Sequence, residues 1–393
     1  MSDERIYLDH HATTPCDQCV LEVMWPWFAD HVGNASSTSH AFGREARDAV
    51  ERARWQIADA IGSTPEEIIF TSGATESNNL AIKGVLQGER NRRHLIINAA
   101  EHRAVLDPAK RLKQEGVVVT ILPVDEYGRV DQQAVEDAIR PETSLVSVMM
   151  ANNEVGTLNA VEKIGTVCQR KGVLFHSDAS QAIGKLPVKV SELPIDLMSF
   201  TAHKIYGPQG VGALYIRRRQ PAIRLVSQID GGGHERRLRS GTLPVPLIVG
   251  FGEACQIAVG EMEEESTRLR NLRERLRAAI MSALDGVTLN GHPDLRLPGN
   301  LHLSFAGVDG DALMANLDGL AVSSGSACTT ADPEPSHVLR AMGIPEKLSL
   351  ASLRFGLGRL TTTDEIDRAA QLVISAVQRL RDMKSCSVDH HST

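Results

Sequence analysis

The chain has 393 residues, 42% of them hydrophobic and 23% charged, with a formal net charge of -7 at pH 7. That length is too great for one small core and predicts a large α/β domain with a smaller one, while the balance of apolar to charged residues excludes a disordered chain. The acidic balance argues against a dedicated nucleic-acid or anionic-membrane surface, since those partners reward a basic face.

The first eleven residues contain no apolar signal core, and no run of about 18 apolar residues occurs, so a cytoplasmic protein is expected. Cys16, Cys19, Cys168, Cys255, Cys328 and Cys386 are too sparse for a secreted disulfide scaffold, which makes free thiols the expectation. Cys16 and Cys19 form a CxxC with no second pair at zinc spacing, so the pair reads as incidental and no resident metal is expected.

Along the chain, Ala46, Ala49, Val50, Ala53, Ile57 and Ala60 fall close to the helical period and predict an amphipathic helix over 44–61. Residues 67–71 predict a strand, Ser72-Gly73 a tight turn, and 74–86 a helix. Further apolar strands are expected at 94–99, 117–124, 145–150, 173–176, 197–201 and 212–216, several separated by helical stretches such as 105–115. This alternation predicts a mainly parallel sheet covered by helices, with chemistry just beyond the carboxyl ends of the strands. After residue 246 a long charged helical stretch, about 248–284, precedes short strands and helices through 383, and 385–393 reads as a frayed tail. The expected division is a large domain at 15–255 and a small domain made of 1–14 and 256–393, which carries a loop at about 321–335.

Four polar stretches follow such strands or lie in loops. Lys204, between His203 and the turn Tyr206 to Gly210, suits a Schiff-base amine, because partial desolvation makes a lysine nucleophilic; a solvated surface lysine is the ordinary alternative. Asp178 is either a helix cap or the carboxylate that keeps a pyridinium nitrogen protonated. Thr71 to Glu76 offers hydroxyls, a glycine turn and a helix N-terminus, which hold a phosphate or simply cap the helix. The small-residue run at 321–330 reads as an exposed, mobile loop in which Cys328 is a reactive thiol, against the usual reading of a free cysteine as a small buried hydrophobe.

Taken together, these stretches resemble the cysteine desulfurases of the NifS/IscS type, which are class-V aminotransferase-like, fold-type-I enzymes dependent on pyridoxal 5'-phosphate (PLP). The likeness runs from Tyr7 to about Leu380 through Ala12 to Pro15, Thr71 to Asn79, Ala100 to His102, Asn152 to Gly156, Asp178 to Gln181, His203 to Pro208, Gly231 to Thr242 and Ser323 to Thr329. The resemblance implies a large domain with a mainly parallel seven-stranded sheet and a smaller α+β C-terminal domain. It further implies that Lys204 holds PLP as an aldimine, Asp178 pairs with the ring nitrogen, Gln181 bonds the ring hydroxyl and His102 stacks on the ring. Ala74, Thr75, Thr201 and His203 are implied to bind the phosphate, with Ala202 and Asn153 also against the cofactor, and Thr242 reaching in from the second subunit of a homodimer. Asn153 and Arg354, with Asn34 nearby, are implied to hold the substrate carboxylate, for which a planar arginine is suited.

The implied reaction takes sulfur from L-cysteine, leaving L-alanine and a persulfide on Cys328, with Lys204 and His102 moving protons. The longer Ser-Ser-Gly-Ser-Ala-Cys-Thr form of the cysteine segment resembles the mobile-loop group, in which Cys328 itself passes sulfur to an acceptor protein and can transiently ligate an iron-sulfur cluster. Iron-sulfur assembly, nitrogenase maturation, tRNA thiolation and DNA phosphorothioation are all open as destinations. Ala35 and Gln209 depart from the family pattern without touching the chemistry, and the chain stops soon after Met383, without the longer extension by which housekeeping members engage a scaffold. The rival readings are another PLP enzyme of this fold, such as an aminotransferase or selenocysteine lyase, and a cofactor-free sulfur carrier.

Overall fold

The computed structural model describes residues 5–89, 93–324 and 335–389, with side chains through 384. Its strands in chain order are β1 (Ile6–Tyr7), β2 (Ile68–Thr71), β3 (His94–Asn98), β4 (Val118–Leu122), β5 (Thr143–Ser147), β6 (Leu174–Asp178), β7 (Leu197–Thr201), β8 (Gly212–Ile216), β9 (Val287–Leu289), β10 (Asn300–Phe305), β11 (Leu320–Ala321) and β12 (Ser352–Gly356). Seven of them form one sheet in the order β2-β8-β7-β6-β5-β3-β4, in which only β8 runs against its neighbours. The sheet is therefore mainly parallel, as the alternation of strands and helices predicts.

Near-continuous apolar strands suit a sheet covered on both faces. Ile96, Phe175, Met198 and Phe200 point into one apolar cluster, whereas Leu95, Ile97, Leu145 and Leu197 point into another on the opposite face. The first cluster is closed by the helices Ala41–Ile61 and Val245–Gly260, the second by Ala74–Gly88 and Arg103–Gln114. β4 lies at the sheet edge, and its Val118 and Ile121 are correspondingly more than half exposed.

A separate apolar cluster lies among β9, β10 and β12, an antiparallel sheet in the order β12-β10-β9, and the helices Met262–Ala283 and Thr363–Asp389. Ile6 and Leu8, from the other end of the chain, are buried in that same cluster, and β1 pairs in parallel with β11. Through this pairing the segment after Leu8 is delivered to the edge of the large sheet.

Two expectations are corrected. The helical stretch at 248–284 is two helices, Val245–Gly260 and Met262–Ala283, bent by 69° at Glu261. The first is apolar on most faces and packs inside, whereas the second is charged on one face and follows the other core, so their burial demands different directions. The tail read as frayed from 385 is helical in backbone as far as Asp389, because extending an established helix costs far less than starting one. Among the described residues no single helix is long and apolar enough to cross a membrane.

Candidate active site

β2 and β7 both run against β8, so the carboxyl ends of β2, β3, β5, β6 and β7 lie at one edge of the sheet. The residues that follow those ends line a cavity of about 540 Å³: Gly73 to Thr75 after β2, His102 after β3, Asn153 after β5, Asp178 ending β6, and Thr201, His203 and Lys204 closing β7. Gln181, His11 to Thr13 and Arg354 line it as well.

Lys204 ends a short 3-10 turn, Ala202–Lys204, and its Nζ donates to the backbone oxygens of His11 and Ala12, both at 2.5 Å. Asp178 is 5% exposed, and its carboxylate accepts three hydrogen bonds from within the chain. Oδ2 accepts from Asn78 Nδ2 at 2.7 Å, and Oδ1 accepts from the Ser180 backbone at 2.9 Å and from Ser180 Oγ at 2.5 Å. Asp178 thus caps the turn after β6 and still faces the cavity, so the two readings of it are compatible.

The turn at Thr71 to Glu76 is likewise both things at once. Glu76 Oε2 accepts from the Ser72 backbone at 2.8 Å and pairs with Arg239, while Ala74 and Thr75 open the helix Ala74–Gly88 against the cavity. The first amides of a helix have no partner within it, so they suit an anion. Gly73 has φ of 154°, and a Cβ on Gly212 would lie 2.7 Å from the Gly73 Cα, so β8 passes beneath this turn with no room for a side chain. Thr201 Oγ1 donates to Val211 O, and His203 Nδ1 lies 3.1 Å from Thr13 Oγ1.

Arg354 comes from β12 and is 2% exposed. Its Nη2 donates to Asp9 Oδ1 at 2.8 Å and to Ser323 Oγ at 2.9 Å, and its Nη1 donates to Asn153 O at 3.2 Å. Ala202 is buried behind the cavity wall. Asn34 and Thr242 are exposed and do not line the cavity of the single chain; Asn34 Oδ1 accepts instead from the Ser36 backbone at 2.9 Å. Cys328 lies outside the described residues.

Burial keeps the site's histidines neutral. His102 Nδ1 accepts from the Ala104 backbone at 3.1 Å, which leaves the ring hydrogen on Nε2, and desolvation lowers its proton affinity against the opposing pull of Asp178. His203 is pushed down to about 4 by desolvation and then by the charges of Lys204 and Lys185. Beneath the cavity, burial raises Glu154 to about 7, although Ser336 Oγ donates to it and Arg354 lies near. Glu101, wholly buried and close to Asp178, is held well above the usual carboxylate range by desolvation.

Three residues beside the site escape sequence reasoning. Asn78 sits within the stretch that resembles the family, but its bond to Asp178 depends on which face of the helix meets β6. His11 precedes the matched Ala12 to Pro15 and is buried against Gln181. Lys185, one helical turn beyond Gln181, donates to Gln181 Oε1 at 2.8 Å; enclosure lowers its amine to about 7, with the Lys204 charge adding to the fall and Glu265 opposing it.

An amine, a carboxylate and an anion-binding helix end that converge after strands of a mainly parallel sheet define the site of a PLP-dependent fold. Comparison with known proteins agrees: residues 6–369 match the aminotransferase class-V family, and this chain belongs to it. A protein named cysteine desulfurase IscS from Anaeromyxobacter sp. (strain Fw109-5) is 53% identical over 379 residues, covering 96% of this chain and 94% of that protein. A solved structure described as a NifS-like protein superposes with a TM-score of 0.89 at 38% identity, covering 96% of this chain and all of that one. Another, described as SspA in complex with cysteine, gives 0.79 at 37% identity over 90% of this chain and 98% of that one.

The cavity fits PLP on its own geometry. One end offers the open amides of the helix Ala74–Gly88 for a phosphate, Asp178 supplies a buried carboxylate for a ring nitrogen, and Lys204 supplies the primary amine.

Proposed function

We propose that this protein is a PLP-dependent cysteine desulfurase, which removes sulfur from L-cysteine, forms L-alanine and carries the sulfur on Cys328. The observation that carries the reading is the convergence of three charged groups from separate elements, Lys204, Asp178 and Arg354, on one cavity, with Asp178 and Arg354 buried there. Identity of 53% over almost the whole chain to a named cysteine desulfurase supports it.

Bound here, PLP supplies an electron sink that makes the Cα hydrogen of an amino acid acidic. Lys204 would hold the cofactor through Nζ, and the same amine is the group placed to take the Cα proton. Asp178 would keep a proton at the ring nitrogen, and its three donors fix the orientation of the carboxylate. Ala74 and Thr75 receive the phosphate with Thr201 and His203, while His102 and Ala202 bound the ring. Gln181 gives a hydrogen bond to a ring oxygen. Arg354 and Asn153 orient the substrate carboxylate.

The Cys328 thiolate attacks the substrate sulfur, so that an S–S bond forms as the C–S bond breaks. His102, neutral with its hydrogen on Nε2, is the group placed to move a proton at that step. Thr242 and Asn34 face solvent in the single chain, and a homodimer that brings Thr242 to the neighbouring site accounts for its exposure. An acceptor protein in the cytoplasm receives the sulfur, with iron-sulfur assembly as the leading destination.

The test is direct. Protein reconstituted with PLP shows a visible band and releases alanine and sulfide from L-cysteine in the presence of a thiol. Cys328→Ala keeps the band and loses sulfide release; full activity in that variant overturns the persulfide step.

A further inference from the structure

Gln181 is held by contacts that leave its amide only one orientation. Its Oε1 accepts from His11 Nδ1 at 3.0 Å and from Lys185 Nζ at 2.8 Å, and its Nε2 donates to the backbone oxygen of His11 at 2.9 Å. As an ammonium, the form it keeps below about pH 7, Lys185 has donors only, and a carbonyl oxygen accepts only, so there the amide cannot be turned over without opposing like groups at both ends. With Oε1 accepting, His11 must carry its hydrogen on Nδ1, and its buried Nε2 has no partner among the described residues. One hydrogen of Gln181 Nε2 remains unused, and Gln181 lines the cavity with Lys204 and Asp178.

We infer that Lys185 is a positioning residue which locks the Gln181 amide so that its free N–H donates to the anionic ring oxygen of the cofactor. The inference rests on the PLP reading above and deepens it. The His11 ring cannot supply this lock, because a neutral imidazole donates or accepts according to its tautomer and adapts to either amide orientation. Without Lys185, a turned amide presents Oε1 to an anionic oxygen and repels it; only the His11 carbonyl then resists. A donor to an anionic oxygen favours its deprotonated form, so loss of the donor raises the pH at which that oxygen protonates. The charged and titratable groups that face this pair are His10, His11, His203, Lys204, Glu265 and Arg354, all of which the variants below leave in place.

The experiment uses the full chain loaded with PLP and reads two quantities: the pH midpoint of the visible band and the dissociation constant for PLP. Lys185→Met and Gln181→Met are each expected to raise the midpoint by about one unit, a tenfold change in proton affinity, and to weaken PLP binding several-fold. The double variant is expected to do no more than either alone, because both remove the same contact. Lys185→Arg, which keeps an obligate donor, is expected to restore wild-type values. Far-UV circular dichroism checks folding, and Lys185→Gln gives the same comparison if the methionine variant does not fold. Wild-type midpoint and affinity in Lys185→Met, or additive effects in the double variant, overturn the inference. Failure of the wild-type protein to acquire any visible band with PLP overturns the PLP reading instead.

Discussion

Replacing Arg354 by lysine tests whether this buried guanidinium binds the substrate carboxylate. Three of its five N–H groups are committed, two on Nη2 to Asp9 and Ser323 and one on Nη1 to Asn153. Nε is buried without a partner among the described residues, and the second Nη1 hydrogen is left for a ligand in the cavity. A hydrogen bond from a charged donor contributes about 1.5–3 kcal/mol, which corresponds to roughly 10- to 150-fold in binding. A lysine can reach Asp9 or a ligand but cannot hold both in one plane, so the variant forfeits most of that term. The expected outcome is a KM for L-cysteine raised by about 10- to 150-fold with kcat changed far less, since the carboxylate is held alike in ground and transition states. Alanine formation against L-cysteine concentration measures it, and the visible band verifies that PLP is still bound. A KM within about twofold of wild type, with the band intact, refutes the assignment.

Two further predictions concern stability. Glu235 and Arg54 form a buried pair with two contacts of 2.8 Å, and Glu235 also accepts from the Phe70 backbone, so Glu235→Ala leaves the buried guanidinium only the half-exposed Glu51 and the Ile68 carbonyl, and should cost about 3 kcal/mol in urea denaturation. A loss below about 1 kcal/mol contradicts this, and a Met pair at both positions should recover much of it. His302, fully buried beside Asn290 and Ser304, is pushed down to about 3 by desolvation. The unfolded chain takes up that proton near pH 6.5 and the folded chain does not, so this residue's contribution to stability falls as pH drops below 6.5, by up to about 1.4 kcal/mol per unit. His302→Gln should therefore gain on the wild type between pH 7 and 5 in parallel denaturation curves; a constant difference refutes the sign.

Lys204 and Asp178 are legible because parallel strands announce themselves as short apolar runs, and polar residues immediately beyond such runs have a place at the sheet edge. The helix at 44–61 is legible for the same reason, being long and periodic; its observed start at Ala41 reflects a cap from His40, whose ring nitrogen accepts from the Gly43 backbone, a role that periodicity does not encode. The break at Glu261 is hidden because helix-compatible sequence, apolar before it and charged after it, continues across it, and only the placement of two cores forces the bend. Lys185 is illegible for a different reason: its partner is an amide oxygen, and nothing in its own neighbourhood of sequence distinguishes it from a solvated lysine. Arg354 carries meaning in sequence only through the family likeness, since its link to Asp9 spans almost the whole chain.

That link has a consequence for how the protein comes to exist. Lys204 rests on the carbonyls of His11 and Ala12, which precede it in the chain, yet the strand that steadies them pairs with Leu320 and Ala321, and the arginine beside them is made later still. In a nascent chain on the ribosome, the strand that steadies this floor therefore lacks its partner until Leu320 and Ala321 have been made. Capture of the vitamin-derived cofactor becomes a late event, and a product cut short before residue 354 should emerge colourless however well its first sheet has formed.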